Sequence, residues 1–154
     1  MDEADLLFQL DGDADVMKYI TLGIPRTMDE VIEKSMPRVL QSYQDKSDFG
    51  IFAAYLINSD EYIGWFQFEK DKEFEDSIEI GWRLKKQYWG NGYATEVAIV
   101  LCELGIKMGK TIVARAMIEN LASIRVMEKA GLKFEKKFWY PDSSSPDVLS
   151  LIHI

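Results

Sequence analysis

The sequence predicts one domain of 154 residues, of the α/β or α+β class, built on a mixed sheet. Three observations carry that reading. The first half holds three consecutive runs with strand-like alternation, helical spacing takes over after Trp89, and a strand–helix–strand–helix–strand run follows the hairpins. A composition of 47% hydrophobic residues fits a globular domain that buries roughly two-thirds of its unfolded surface.

Taken in order, Asp2 to Leu10 reads as a short helix. Thr27-Met28-Asp29-Glu30 has the spacing of a capping box, so a second helix starts there and runs to about Tyr43, with an apolar stripe of Val31, Ile32, Val39, Leu40 and Tyr43. Pro37 lacks an N–H to donate and is expected to kink or split that helix. Phe49 to Ile57, Tyr62 to Phe68 and Ile78 to Leu84 read as three antiparallel strands, separated by Asn58-Ser59-Asp60 and by the charged stretch from Lys70 to Asp76. Gly92 to Met108 repeats apolar positions at helical spacing through Val97, Val100, Leu101 and Leu104, and Gly109 stops it. Thr111 to Met117 is a strand, Asn120 to Ala130 a helix closed by Gly131, and Leu132 to Tyr140 another strand. Pro141 to Pro146 is turn-rich and leads to a last strand, Asp147 to Ile154.

Charge narrows the partners. A net charge of −8 argues against nucleic acid, which needs a concentrated positive surface. From Arg83 to Lys137, however, eleven Lys and Arg stand against five Glu, so that stretch carries +6 and the remainder −14. A mildly basic part suits a phosphate-bearing ligand, and an acidic remainder suits a cationic partner such as an amine, although solvated helix faces give the same count. The start Met1-Asp2-Glu3-Ala4-Asp5 lacks the pattern of a signal peptide, and no stretch approaches roughly 18 consecutive apolar residues, so a soluble, cytoplasmic protein without a membrane span is expected. Cys102, the sole cysteine, falls in an apolar helical pattern and reads as core, so no cysteine-based metal site is expected. His153, the sole histidine, reads as structural or exposed.

The sharpest local signal is Gln87-Tyr88-Trp89-Gly90-Asn91-Gly92-Tyr93-Ala94, a strand end, a two-glycine loop and a helix start. Helix N-termini present unpaired N–H groups and about half a positive charge, and glycines let a pyrophosphate approach the backbone. An ordinary strand-to-helix turn uses glycines too. No Gly-Lys-Ser/Thr follows, which sets aside a P-loop, and Thr95 stands where a dinucleotide fingerprint needs a third small residue. About thirty residues on comes Asn120-Leu121-Ala122-Ser123-Ile124-Arg125-Val126-Met127-Glu128-Lys129-Ala130-Gly131.

With both signals in place the chain resembles the GNAT superfamily, whose acetyl-CoA loop reads Gln/Arg-x-x-Gly-x-Gly/Ala and precedes an Asn-x-x-Ser/Ala helix. Glu79-Ile80-Gly81-Trp82 before the loop and the Ser123 to Gly131 stretch after it resemble the ribosomal-protein alanine N-acetyltransferase branch. The resemblance implies a GNAT-like fold, a mixed, mostly antiparallel sheet flanked by helices, and acetyl transfer from acetyl-CoA to an amine by direct attack in a ternary complex. It implies that backbone N–H groups of Trp89, Gly90, Asn91, Gly92, Tyr93 and Ala94, with Gln87 beside them, hold the pyrophosphate. The strand edge of Trp82, Arg83 and Leu84 would pair with pantetheine amides, Asn120 would hydrogen-bond the pantetheine arm, and Ser123 would lie near the thiol or the phosphates. Asn120 is equally suited to plain N-capping, and Ser123 to a first-turn hydroxyl bonding backbone.

Two departures accompany the resemblance. Met127 stands where many members carry a tyrosine that protonates the leaving thiolate, so Ser123 or water is left for that role; a thiol of pKa about 8.5 leaves well without one. The strand that opens many members is absent, so either the start is truncated or another chain completes the sheet, and a homodimer is expected. Glu79 is the candidate base, against the alternative of a solvated strand carboxylate. The acceptor expected is a protein N-terminal α-amine, such as that of a ribosomal protein, or a small amine such as a polyamine. The alternative is a catalytically silent CoA-binding module or sensor.

Overall fold

The computed structural model describes residues 3–43, 48–138 and 148–153. Two compact units divide the chain: Met1–Glu69 with Trp82–Asn91, and Lys70–Gly81 with Gly92–Ile154.

In the first unit, α1 (Glu3–Asp11) buries Ala4, Leu7, Leu10 and Asp11. The predicted capping box is present in full. Thr27 Oγ1 accepts from Glu30 N at 3.2 Å while the Glu30 carboxylate accepts from Thr27 N at 3.1 Å, and α2 (Met28–Glu30) begins there. The kink expected at Pro37 takes the form of a π turn over Val31–Ser35, after which α3 (Met36–Ser42) resumes with Pro37 in its first turn. A widened turn in which Met36 N bonds Val31 O relieves the clash a proline ring makes with the turn before it. Val31 is buried and Val39 packs with Met36 against Leu7, Leu10, Ile51, Tyr62 and Trp65, whereas Ile32, Leu40 and Tyr43 of the expected stripe are exposed.

The unit continues with β1 (Gly50–Tyr55) and β2 (Tyr62–Lys70), antiparallel from Gly50↔Phe68 to Tyr55↔Tyr62 with a bulge between Ala54 and Tyr55. The strand β3 (Ser77–Leu84) is the next neighbour of β2. Gly64 lets the two backbones meet closely. Its φ is +149°, and a Cβ there would press into the Arg83 carbonyl oxygen and stand 2.8 Å from Leu84 Cα.

In the second unit, the first residues of β3 run parallel to β4 (Thr111–Met117) from Ser77↔Thr111 to Glu79↔Val113. β4 pairs antiparallel with β6 (Val148–His153), and β6 with β5 (Lys133–Phe138). The sheet is therefore mixed and mostly antiparallel, as expected. Tyr140 and the turn from Pro141 to Pro146 lie outside the described residues. The helices are α4 (Tyr93–Lys107) and α5 (Leu121–Lys129), both within the expected ranges.

One expectation about α4 is corrected. The face it buries is Ala98, Cys102 and Gly105, while Val100 and Leu104 of the expected stripe are 57% and 41% exposed. Gly105 explains the choice, because it seats the helix directly on Ile112, with Ile78 beside it. Close approach to the sheet requires small side chains, and α4 is apolar on nearly every face, so periodicity alone picks the wrong stripe. Burial pushes the Cys102 thiol up to about 11, which keeps it a neutral, inert core group.

Candidate active site

The glycine loop is built by local backbone rules. After β3, a 3-10 turn over Lys86–Tyr88 brings the chain to Trp89, whose indole Nε1 donates to Leu84 O at 2.8 Å, and Asn91 Nδ2 donates to Trp89 O at 3.2 Å. Gly90 and Gly92 both adopt left-handed conformations, with φ of +77° and +88°. A Cβ built on either meets nothing within 4 Å. Gly92 is the N-cap of α4 and offers it no side chain, so the first turn of a 15-residue helix has no side-chain cap. Left-handed glycines with room for a Cβ, and a helix start without a side-chain cap, are the local features from which backbone anion sites are built. Trp89, Gly90, Asn91 and Gly92 are exposed, and Tyr93 and Ala94 half-buried, while Gln87 is exposed with its Nε2 3.5 Å from Glu61 Oε1.

The remaining expected residues of the first unit are on β3. Trp82 and Arg83 are half-buried and Leu84 is buried. The Arg83 guanidinium is committed elsewhere: it pairs with Asp11, which also receives Arg26 Nη1 at 3.1 Å and the Ser35 hydroxyl, and it lies over the Trp65 ring at 5.0 Å. Burial pulls the Arg83 pKa below its usual range, and the Asp11 carboxylate opposes that shift. Any contact of Arg83 with a cofactor therefore belongs to its backbone. Asp11 carries no signal in the sequence, since its partners lie 15, 24 and 72 residues away.

In the second unit, Asn120 caps α5, its Oδ1 accepting from Ser123 N at 3.2 Å. The cap uses the amide oxygen and leaves the Nδ2 donors for another partner. Ser123 is half-buried in the first turn, and Met127 is buried at 2% exposure, a core side chain where many relatives of this pattern place a tyrosine. Glu79 lies on β3 opposite Val113, 29% exposed, with Oε1 3.2 Å from Arg115 Nη1. It is thus an ion-paired carboxylate rather than a solvated one. The parallel ladder ends at Glu79, and β3 continues to Leu84.

Arg115 is the residue the sequence reading passed over. Its side chain is 9% exposed and meets three carboxylates, those of Asp71, Glu73 and Glu79. The Asp71 side chain is buried, with Oδ1 accepting from Glu73 N and Phe74 N at 2.8 Å each. Burial is the largest single influence on its pKa and raises it, but hydrogen bonds from Arg115 and the two backbone N–H groups outweigh that and hold the carboxyl below its usual range. Among the described residues no group of three or more His, Cys, Asp or Glu is arranged to hold a metal ion, and no helix is long and apolar enough to cross a membrane.

Comparison with known proteins adds the following. The family described as acetyltransferase (GNAT) domain matches residues 1–133. The uncharacterized N-acetyltransferase YnaD of Bacillus subtilis (strain 168) is 32% identical over 134 residues, which span 86% of this chain and 74% of that protein. The FsC-acetyl coenzyme A-N(2)-transacetylase of Aspergillus fumigatus is 29% identical over 154 residues, 92% of this chain, and the chain spans 63% of that relative's length. The crystal structure of an acetyltransferase (GNAT family) from Bacillus anthracis superposes with a TM-score of 0.79 at 27% identity, covering 99% of this chain and 89% of that one.

Proposed function

This chain belongs to the GNAT acetyltransferase family, and from that premise we propose that it transfers the acetyl group of acetyl-CoA to a primary amine by direct attack. The observation that carries the proposal is the Gly90–Gly92 cradle at the uncapped start of α4. Backbone N–H groups from Trp89 to Ala94 bind the pyrophosphate in this reading, with Gln87 beside them. The backbone of Trp82, Arg83 and Leu84, past the end of the parallel ladder at Glu79, pairs with the pantetheine amides, and the Nδ2 donors of Asn120 meet the same arm.

Acetyl-CoA supplies an acyl group on a good leaving thiolate. The amine nitrogen attacks the thioester carbonyl carbon, the new C–N bond forms, and the C–S bond breaks. Glu79 takes the proton the amine must lose, directly or through water, and Ser123 or solvent meets the departing thiolate. An α-amine of pKa about 7.7 to 8.0 asks about one unit of help near neutral pH, and a lysine near 10.4 about three. A site with Glu79 as its one proposed base and Met127 at the tyrosine position therefore suits an α-amine or a small amine of lowered pKa. The N-terminal α-amine of a protein rests on the branch-like residues Glu79 to Trp82 and Ser123 to Gly131. A small amine agrees with the acidic balance outside the Arg83 to Lys137 stretch.

The test is thiol release from acetyl-CoA with a panel of amines, including a peptide with a free N-terminal alanine and spermidine. Amine-dependent release is expected. Acetyl-CoA binding without release for any amine would instead mark a silent CoA-binding module, and neither binding nor release would overturn the proposal.

A further inference from the structure

Glu79 is ion-paired to a guanidinium that is anchored on a second carboxylate. Arg115 grips Asp71 with both terminal nitrogens, Nη1 on Oδ2 and Nη2 on Oδ1, the latter at 3.2 Å. Asp71 in turn is fixed by the backbone N–H groups of Glu73 and Phe74. The guanidinium lies 5.7 Å from the centre of the Phe74 ring, whose other cation, Lys136 Nζ, is at 4.9 Å. From this anchored position Arg115 reaches Glu73 Oε2 at 3.4 Å and Glu79 Oε1 at 3.2 Å. One cation thus serves three carboxylates. Asp71 takes the two-pronged contact, so the hairpin between β2 and β3 is pinned to β4 by the same side chain that pairs with Glu79.

We infer that Arg115 is a positioning residue for acetyl transfer, fixing the Glu79 carboxylate where it meets the incoming amine; this rests on the reading of Glu79 as the base. The physical case is geometric. Without the guanidinium, Glu79, Asp71 and Glu73 would lose the cation they share, and repulsion among the three like charges would favour turning the partly exposed Glu79 carboxylate towards water. A displacement of about 1 Å at a reacting group costs up to about 100-fold in rate. A lysine carries the charge but not the fork, so it can hold Asp71 or Glu79 but not both in the present arrangement.

The experiment is a double-mutant cycle on amine-dependent thiol release, with the free N-terminal alanine peptide and spermidine as acceptors and acetyl-CoA saturating. Arg115→Gln is expected to lower kcat about 10- to 100-fold, with the acetyl-CoA KM nearly unchanged and Arg115→Lys recovering part of the loss. In a Glu79→Gln background the same Arg115→Gln change should cost almost nothing more, because the group it positions is gone. An equal loss in both backgrounds overturns the inference and leaves Arg115 a strut of the hairpin. A Glu79→Gln variant with wild-type turnover overturns the base assignment instead, which is a separate result. If Arg115→Gln does not fold, Arg115→Lys and Asp71→Asn, which removes the anchor, are run through the same cycle with the same two readings.

Discussion

Replacing Gly92 with alanine separates the two roles that its conformation combines. In the free protein the cost is conformational alone, because a Cβ at Gly92 meets nothing within 4 Å while its φ of +88° is disfavoured for any L side chain. That cost is about 1 to 2 kcal/mol, or a melting temperature lower by about 2 to 8 °C for a chain of this size. Acetyl-CoA at 100 times its dissociation constant should add about 2.7 kcal/mol to the wild type. The new methyl group would occupy the space the pyrophosphate needs, so an affinity loss of more than about 20-fold should cut that gain below about 1 kcal/mol. Thermal melts with and without acetyl-CoA read both quantities at once. Gly109, also left-handed at φ +71° with open space around it, ends α4 away from its N-terminus, so Gly109→Ala should pay the same conformational cost and keep the full ligand gain. If Gly92→Ala keeps that gain as well, the cradle is not where the anion sits.

Gly64→Ala should be much more damaging than either, by about 3 kcal/mol or more in urea denaturation, because its Cβ would strike the backbone of Arg83 and Leu84 and no side chain can yield; a loss under about 1 kcal/mol would mean the strands do not approach that closely. Glu79→Gln should lower turnover far more than it weakens acetyl-CoA binding, with a deficit that shrinks as pH rises and the amine arrives already neutral, whereas Ser123→Ala should cost less; a pH-independent deficit would make Glu79 structural. Asp71 has a depressed carboxyl, so its stabilisation is present above about pH 4 and lost as pH falls through the lower folded value; in acid unfolding the gap between wild type and Asp71→Asn should narrow as pH falls below about 4, and a gap that does not change with pH would contradict the pairing. Among the described residues β1 has β2 as its one strand neighbour, and we propose that a second copy pairs along it; light scattering should then give a dimer mass, and a monomer at every micromolar concentration would exclude it.

What the sequence determined by itself is the part governed by neighbours in the chain. Thr27 and Glu30 cap a helix because they are three residues apart, and β4 fills the predicted span of Thr111 to Met117. Gly90 and Gly92 were legible as turn residues before a helix because left-handed backbone conformations at a helix start ask for glycine whatever surrounds them. Asn120 was legible as a cap for the same local reason, and the amide oxygen is the atom that caps α5. The tertiary structure decided what depends on which surfaces meet. It chose Ala98, Cys102 and Gly105 over the bulkier stripe of α4, since contact with Ile112 admits only small side chains. It widened the helix before Pro37 and left Ile32 and Leu40 exposed. It also joined Asp11 to Arg83 and Asp71 to Arg115, pairs separated by 72 and 44 residues. A buried charge needs a partner at hydrogen-bonding distance, but nothing in the spacing of the chain says which one, because only tertiary packing brings those residues together.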